Sequence, residues 1–193
     1  VSGLDLKTPL LLASQLDDVI EKKLDVAFNE KMGYLTSCPT NLGTGLRASV
    51  MLHLPGLVFT QQIGKIINIS PQLGLAVRGL FGEGTEFTGN IFQISNQLTL
   101  GFSESELIEN LTGTVKEIIT HERAARKALL AYPKDQVADD VWRSFGILRY
   151  ARSVADQEFL SLLSKVRLGI DLGIITKLKP GIFNELLVAG QTN

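Results

Sequence analysis

Apolar residues recur at helical spacing through Leu12, Leu16, Val19, Ile20, Leu24 and Phe28. They follow Thr8-Pro9, a capping hydroxyl and a proline suited to a first helical turn. The spacing predicts an amphipathic helix over 8–29, broken by Gly33, then a short strand over 34–37 and a loop over 38–45. At 48–54 the period changes to two. Ala48, Val50, Leu52 and Leu54 share one face and Ser49, Met51 and His53 the other, which is the pattern of a strand ended by Pro55-Gly56. A helix over 57–67 and strands over 73–80 and 90–97 come next, the two strands separated by a loop over 79–89 punctuated by glycines.

Ser103 and Glu106 form a capping box, and Leu107, Leu111, Val115 and Ile118 then mark a long helix to about residue 131, closed by Pro133. Beyond it, Phe159, Leu160, Leu163 and Val166 keep helical spacing and no strand pattern returns. Strands mixed with helices, followed by helices alone, predict an α+β fold rather than a doubly wound sheet. The expected division is 1–131, holding the strands, and 132–193, a small helical domain.

Composition narrows the function classes. The 193 residues are 45% hydrophobic and 20% charged, with 19 basic against 20 acidic side chains and a net charge of −1. That balance gives no electrostatic reason to expect nucleic acid or an acidic membrane as partner, so an anion site must be local. Cys38 is the only cysteine and His53 and His121 the only histidines, which excludes an internal disulfide and a Cys/His metal cluster. No apolar run is long enough to span a bilayer, and no secretory signal opens the chain, so the cytoplasm is the expected location. The opening at Val1 in a Gly-containing segment suggests a fragment.

Two segments carry candidate chemistry. In SCPTNLGTGLR, residues 37–47, Gly43 to Ala48 formally matches a dinucleotide-binding pattern, but a strand follows where that motif needs a helix. No Gly-Lys-Ser/Thr makes it a P-loop. What remains is a loop of small residues with exposed backbone N–H groups, Gly43 and Gly45 among them, ending in Arg47 beside a strand and suited to phosphate oxygens. On residue type alone Cys38 reads as a buried, inert thiol; against that, Thr40 two residues on is placed to donate to a thiolate. The second segment, VRGLFGEGTE over 77–86, is a strand ending in Arg78 and running into a Gly-rich loop with Glu83 at its middle. It reads either as a solvated turn or as a lid whose carboxylate clasps a guanidinium while Arg78 neutralises phosphate. The run Glu122 to Lys127 reads as a solvated helix face, and both histidines as surface or hydrogen-bonded groups.

Residues 33–54, GYLTSCPTNLGTGLRASVMLHL, and 74–101, GLAVRGLFGEGTEFTGNIFQISNQLTLG, resemble signature blocks of the guanidino kinases, the family of creatine and arginine kinases. The similarity to the bacterial protein-arginine kinase branch of that family continues through 122–126, 141–152 and 166–175. It implies an antiparallel sheet flanked by helices and transfer of a phosphoryl group from ATP, with Mg²⁺, to arginine side chains of proteins in bacterial stress response. It also implies roles: Cys38, Thr40 and Glu83 at the substrate guanidinium, Arg47 and Arg78 on the ATP phosphates, Ser49 on the strand flanking the nucleotide. Met51 stands where creatine and arginine kinases carry a histidine beside the adenine, and Gln93 where arginine kinases show an aspartate. Implied partners are protein substrates, a zinc-binding activator protein, a heat-shock repressor, a Clp-type unfoldase and a second copy in a homodimer. The family's upstream S-x-R-x-R and N-E-E-D-H segments and its R-D-x-x-R-A element are not in the chain, so weak or no turnover is expected of it alone. Two other functions stay open: a phosphagen kinase for free arginine or a similar small guanidino compound, and a non-catalytic module binding nucleotide or phosphoarginine.

Overall fold

The structure, a computed structural model, describes residues 3–80, 87–131 and 134–190. Its contacts divide the chain into two compact units. The first comprises residues 1–50, 67–77 and 94–117, and the second 51–66, 78–93 and 118–193.

In the first unit, α1 spans Lys7–Glu21. Asp5, not Thr8, caps it: Asp5 Oδ1 accepts from the backbone N–H of Lys7 and Thr8, each at 3.1 Å. The helix stops well short of residue 29. Asn29 folds its side chain back to accept from the N–H of Lys31 and Met32, and this turn joins β1 (Phe28–Asn29) to β2 (Gly33–Tyr34) as an antiparallel hairpin. No residue of α1 is buried, and its apolar stripe, including Leu12 and Leu16, faces outward.

Strands β3 (Ser49–His53), β4 (Leu75–Arg78) and β5 (Ile91–Asn96) form a sheet in the order β3-β5-β4. The unit boundary falls within each strand. The Leu54 N–H donates to Asn90 O at 2.9 Å and the Asn96 N–H to Ala48 O at 3.3 Å, so β3 and β5 run antiparallel in constant register. The helix expected over 57–67 is two helices, α2 (Pro55–Phe59) and α3 (Ile63–Ile69). The break follows from Thr60, whose hydroxyl donates back to Gly56 O at 2.8 Å, and from Gln61, which takes the left-handed region at φ 56°.

Helix α4 (Glu104–Ala131) starts at the expected capping box: the Ser103 N–H donates to Glu106 Oε2 at 2.8 Å and the Glu106 N–H to Ser103 Oγ at 3.3 Å. The rest of the second unit is helical, with α5 (Lys134–Tyr150), α6 (Asp156–Asp171) and α7 (Ile182–Ala189). Leu129, Val137, Val141, Val166, Leu168 and Ile175 form one core there, and Ile91, Leu163 and Phe183 another. Each fully buried Leu or Val contributes about 1.5–3 kcal/mol. The α+β class is therefore as expected, and the described residues of the last third hold helices joined by turns and loops, with no strand among them. Among the described residues no helix is long and apolar enough to cross a membrane.

Candidate active site

Residues 38–49 form one segment of the first unit, exposed at Cys38, Thr40, Gly45, Arg47 and Ser49 and held from beneath by two buried polar side chains. Asn96 at the end of β5 accepts the Ala48 N–H on Oδ1 at 2.8 Å and donates from Nδ2 to Leu46 O at 2.9 Å. Arg47 is thus flanked on both sides by fixed backbone while its side chain remains exposed. Thr99 lies with Oγ1 2.9 Å from Thr40 O and 2.7 Å from Leu42 O, so its hydroxyl ties the start of the loop to the same floor. Both anchors are 5% exposed. Neither was expected from sequence; a polar residue at the buried end of an apolar strand was the available signal.

Close backbone approach explains two glycines. The Tyr34 N–H donates to Gly43 O at 2.8 Å, and a Cβ on Gly33 would collide with that carbonyl. Gly43, at φ 108°, lies so close to Thr99 that a Cβ would come within 2.5 Å of its carbonyl oxygen. Only glycine fits at both points. Tyr34 is held in turn by Asp17 and Glu21 of α1, whose carboxylates lie 2.9 and 2.8 Å from its hydroxyl and raise its pKa well above the usual phenol value.

Cys38 is exposed, correcting the reading of a buried thiol. It precedes a short 3₁₀ turn, Pro39–Asn41, which brings Thr40 Oγ1 to 3.0 Å from Sγ. The Thr40 hydroxyl, and secondarily its backbone N–H, stabilise the thiolate and lower the Cys38 pKa. Ser49 and Thr40 are exposed and Gly45 sits at φ 64°, whereas Gly43 is buried and its N–H donates to Tyr34 O at 3.3 Å, which corrects the expectation of an exposed donor there. Cys38, Thr40, Gly43, Gly45, Arg47 and Ser49 therefore belong to one unit. Arg78, half-buried at the end of β4, belongs to the other, and Glu83 lies outside the described residues.

Among the described residues no group of three or more His, Cys, Asp or Glu side chains could hold a metal ion. His53 is hydrogen-bonded: its Nε2 is 2.8 Å from Ser164 Oγ and its ring packs on Phe183 with centroids 4.8 Å apart. Burial first, then the charges of Arg126 and Arg167, lowers its pKa to about 3 and keeps it neutral. Glu122 and Arg126 are not a solvated face. Glu122 is 4% exposed, accepts from two backbone N–H groups and pairs with Arg126.

A family model described as ATP:guanido phosphotransferase, C-terminal catalytic domain, matches residues 1–125. The chain belongs to the guanido phosphotransferase family. A second family model, the C-terminal domain of the protein-arginine kinase McsB, matches residues 134–193. The chain is 54% identical over 189 residues to the protein-arginine kinase of Desulforamulus reducens and 56% identical over 189 residues to that of Halalkalibacterium halodurans. Each alignment covers 98% of this chain and 53% of the relative, so the chain spans about half the length of these curated relatives. Among solved guanidino kinases, a lombricine kinase matches 63% of this chain and 33% of its own at 34% identity and a TM-score of 0.52. A taurocyamine kinase from Schistosoma mansoni, solved with transition-state-analogue components, matches 66% of this chain and 19% of its own at 30% identity and 0.50.

Proposed function

We propose that this chain is part of an enzyme that transfers the γ-phosphoryl group of ATP to a guanidinium nitrogen of arginine residues in proteins. The observation that carries the reading is the exposed Cys38, with Thr40 favouring its thiolate, in the same segment as an exposed Arg47 on fixed backbone. Similarity to curated protein-arginine kinases supports the substrate class.

In this reading Arg47, Arg78 and the backbone N–H group at Gly45 bind the phosphates, with Gly43 shaping the loop through its close backbone approach and Ser49 beside the nucleotide. They neutralise charge on the transferring group more strongly as it develops, which is where phosphoryl transfer gains most from a protein. The Cys38 thiolate and Glu83 orient the planar guanidinium so that a nitrogen lies in line with the γ-phosphorus. The new P–N bond forms as the bond to the β,γ-bridging oxygen breaks and the attacking nitrogen gives up a proton to solvent, and ADP leaves. Mg²⁺, when bound with ATP, would supply further charge neutralisation. The proposal extends to the division at 131/132, to cytoplasmic stress response, and to a homodimer working with a zinc-binding activator, a heat-shock repressor and a Clp unfoldase.

The solved lombricine and taurocyamine kinases favour a second reading, phosphorylation of a small guanidino compound. The two separate on one assay. The full-length protein carrying this chain, given ATP, is offered either free arginine or an unfolded arginine-rich protein, and acid-labile phosphoarginine is measured. Transfer to the protein alone is expected; transfer to free arginine alone contradicts the proposal.

A further inference from the structure

In the second unit Glu122 and Arg126 are one turn apart on α4 and build a charged network that is buried at Glu122 and reaches the surface at Asp171. Glu122 Oε1 and Oε2 accept from the N–H groups of Gly56 and Leu57, at 2.9 and 2.8 Å, in the first turn of α2. Arg126 donates through Nε to Glu122 at 2.5 Å, through Nη2 to His53 O at 3.1 Å and through Nη1 to Asp171 at 2.6 Å. Asp171, at the end of α6, also accepts from Arg167 Nε at 3.0 Å, and Arg167 donates on to Pro180 O at 2.9 Å. Side chain and backbone fit closely. A Cβ on Gly56 would lie 3.0 Å from both Arg126 Cγ and Glu122 Oε1.

One guanidinium thereby joins the last residue of β3 to α6, and the carboxylate beside it holds the turn that follows β3. A surface ion pair contributes little, but here one acceptor is the backbone carbonyl of His53 and the charged partners are partly shielded, the side chain of Arg126 being 20% and that of Asp171 16% exposed. The fork geometry also matters, because three separate nitrogens are committed to three different acceptors.

We infer that Arg126 and Asp171 are positioning residues: they let α6 set the place of residues 51–57, and so of the nucleotide-flanking strand β3. The inference rests on the proposed function for its link to ATP. Loosening Asp171 frees the Arg126 fork, the His53 carbonyl loses its donor, and the strand end shifts.

The test compares Asp171→Asn, Arg126→Lys and Asp171→Glu with the wild-type chain, with Asp139→Asn, which breaks an exposed pair with Arg143, as the control. Amide hydrogen exchange is read at Leu54, Gly56 and Leu57, and ATP affinity by calorimetry. Asp171→Asn and Arg126→Lys are expected to speed exchange at these amides and weaken ATP binding, each about tenfold, a change typical of losing a charged hydrogen bond. Asp171→Glu should recover part of both, and Asp139→Asn should move neither. Unchanged exchange overturns the inference, and so does faster exchange with undiminished affinity, which leaves only a structural brace. A wild-type chain that takes up no ATP instead sinks the nucleotide reading on which the inference stands.

Discussion

The loop of the first unit and the α2–α4–α6 region of the second are held by opposite means. Asn96 and Thr99 fix residues 40–48 with neutral side chains on backbone groups, and every titratable group of the loop stays exposed. The second region buries a charge, Glu122, on the N–H groups of buried Gly56 and Leu57, and half-buries Arg126 against the His53 carbonyl. Neutral anchors leave the local field to the groups that are to meet an anion and a cation. Buried charges give a stiff joint, but one that fails badly if half of it is removed.

The comparison is broken most severely by Glu122→Ala. It leaves Arg126 and two N–H groups without their carboxylate, and a loss of about 3–5 kcal/mol is expected in denaturant unfolding. Asn96→Ala removes a neutral anchor, and the expected cost is smaller, about 1–3 kcal/mol, with amide exchange accelerating at Ala48. A loss at Glu122 no larger than at Asn96 would erase the distinction.

His53 sharpens it through pH. The unfolded histidine takes up a proton as pH falls below about 6.5, whereas the folded one does so only near 3. Its contribution to stability is therefore present above about 6.5 and is lost as pH drops, at no more than about 1.4 kcal/mol per pH unit. Between pH 7 and 5 the wild type should lose up to about 2 kcal/mol more than His53→Gln; parallel curves would contradict the assignment.

The smallest effect lies in the loop. Thr40→Val removes the hydroxyl that favours the Cys38 thiolate, so the pH profile of Cys38 alkylation should move to higher pH while unfolding hardly changes. An unmoved profile would mean that the Thr40 hydroxyl does not donate to Sγ.

Local pattern made much of this legible. The alternation over 48–54, the Ser103/Glu106 box and the helical spacing around Leu163 each reflect a backbone period, and each element stands where that period put it. The end of α1 was not legible, because the helix stops at Glu21 with no glycine or proline after it before the hairpin in which Phe28 pairs with Tyr34. Cys38 looked buried because residue type says nothing of a turn that presents it outward. Glu122 looked solvated because its partners, the N–H groups of Gly56 and Leu57, are 66 and 65 residues away in sequence. For the same reason Asn96 and Thr99 gave little sign of holding a loop some fifty residues before them.

The central claim is that residues 43–49 receive the phosphates of ATP. Titrating ATP into the isotopically labelled chain and following backbone amide resonances tests this directly. The account predicts shifts concentrated at Gly45, Arg47 and Ser49 that vanish in Arg47→Ala. Shifts confined to other segments, or surviving that substitution unchanged, would contradict it.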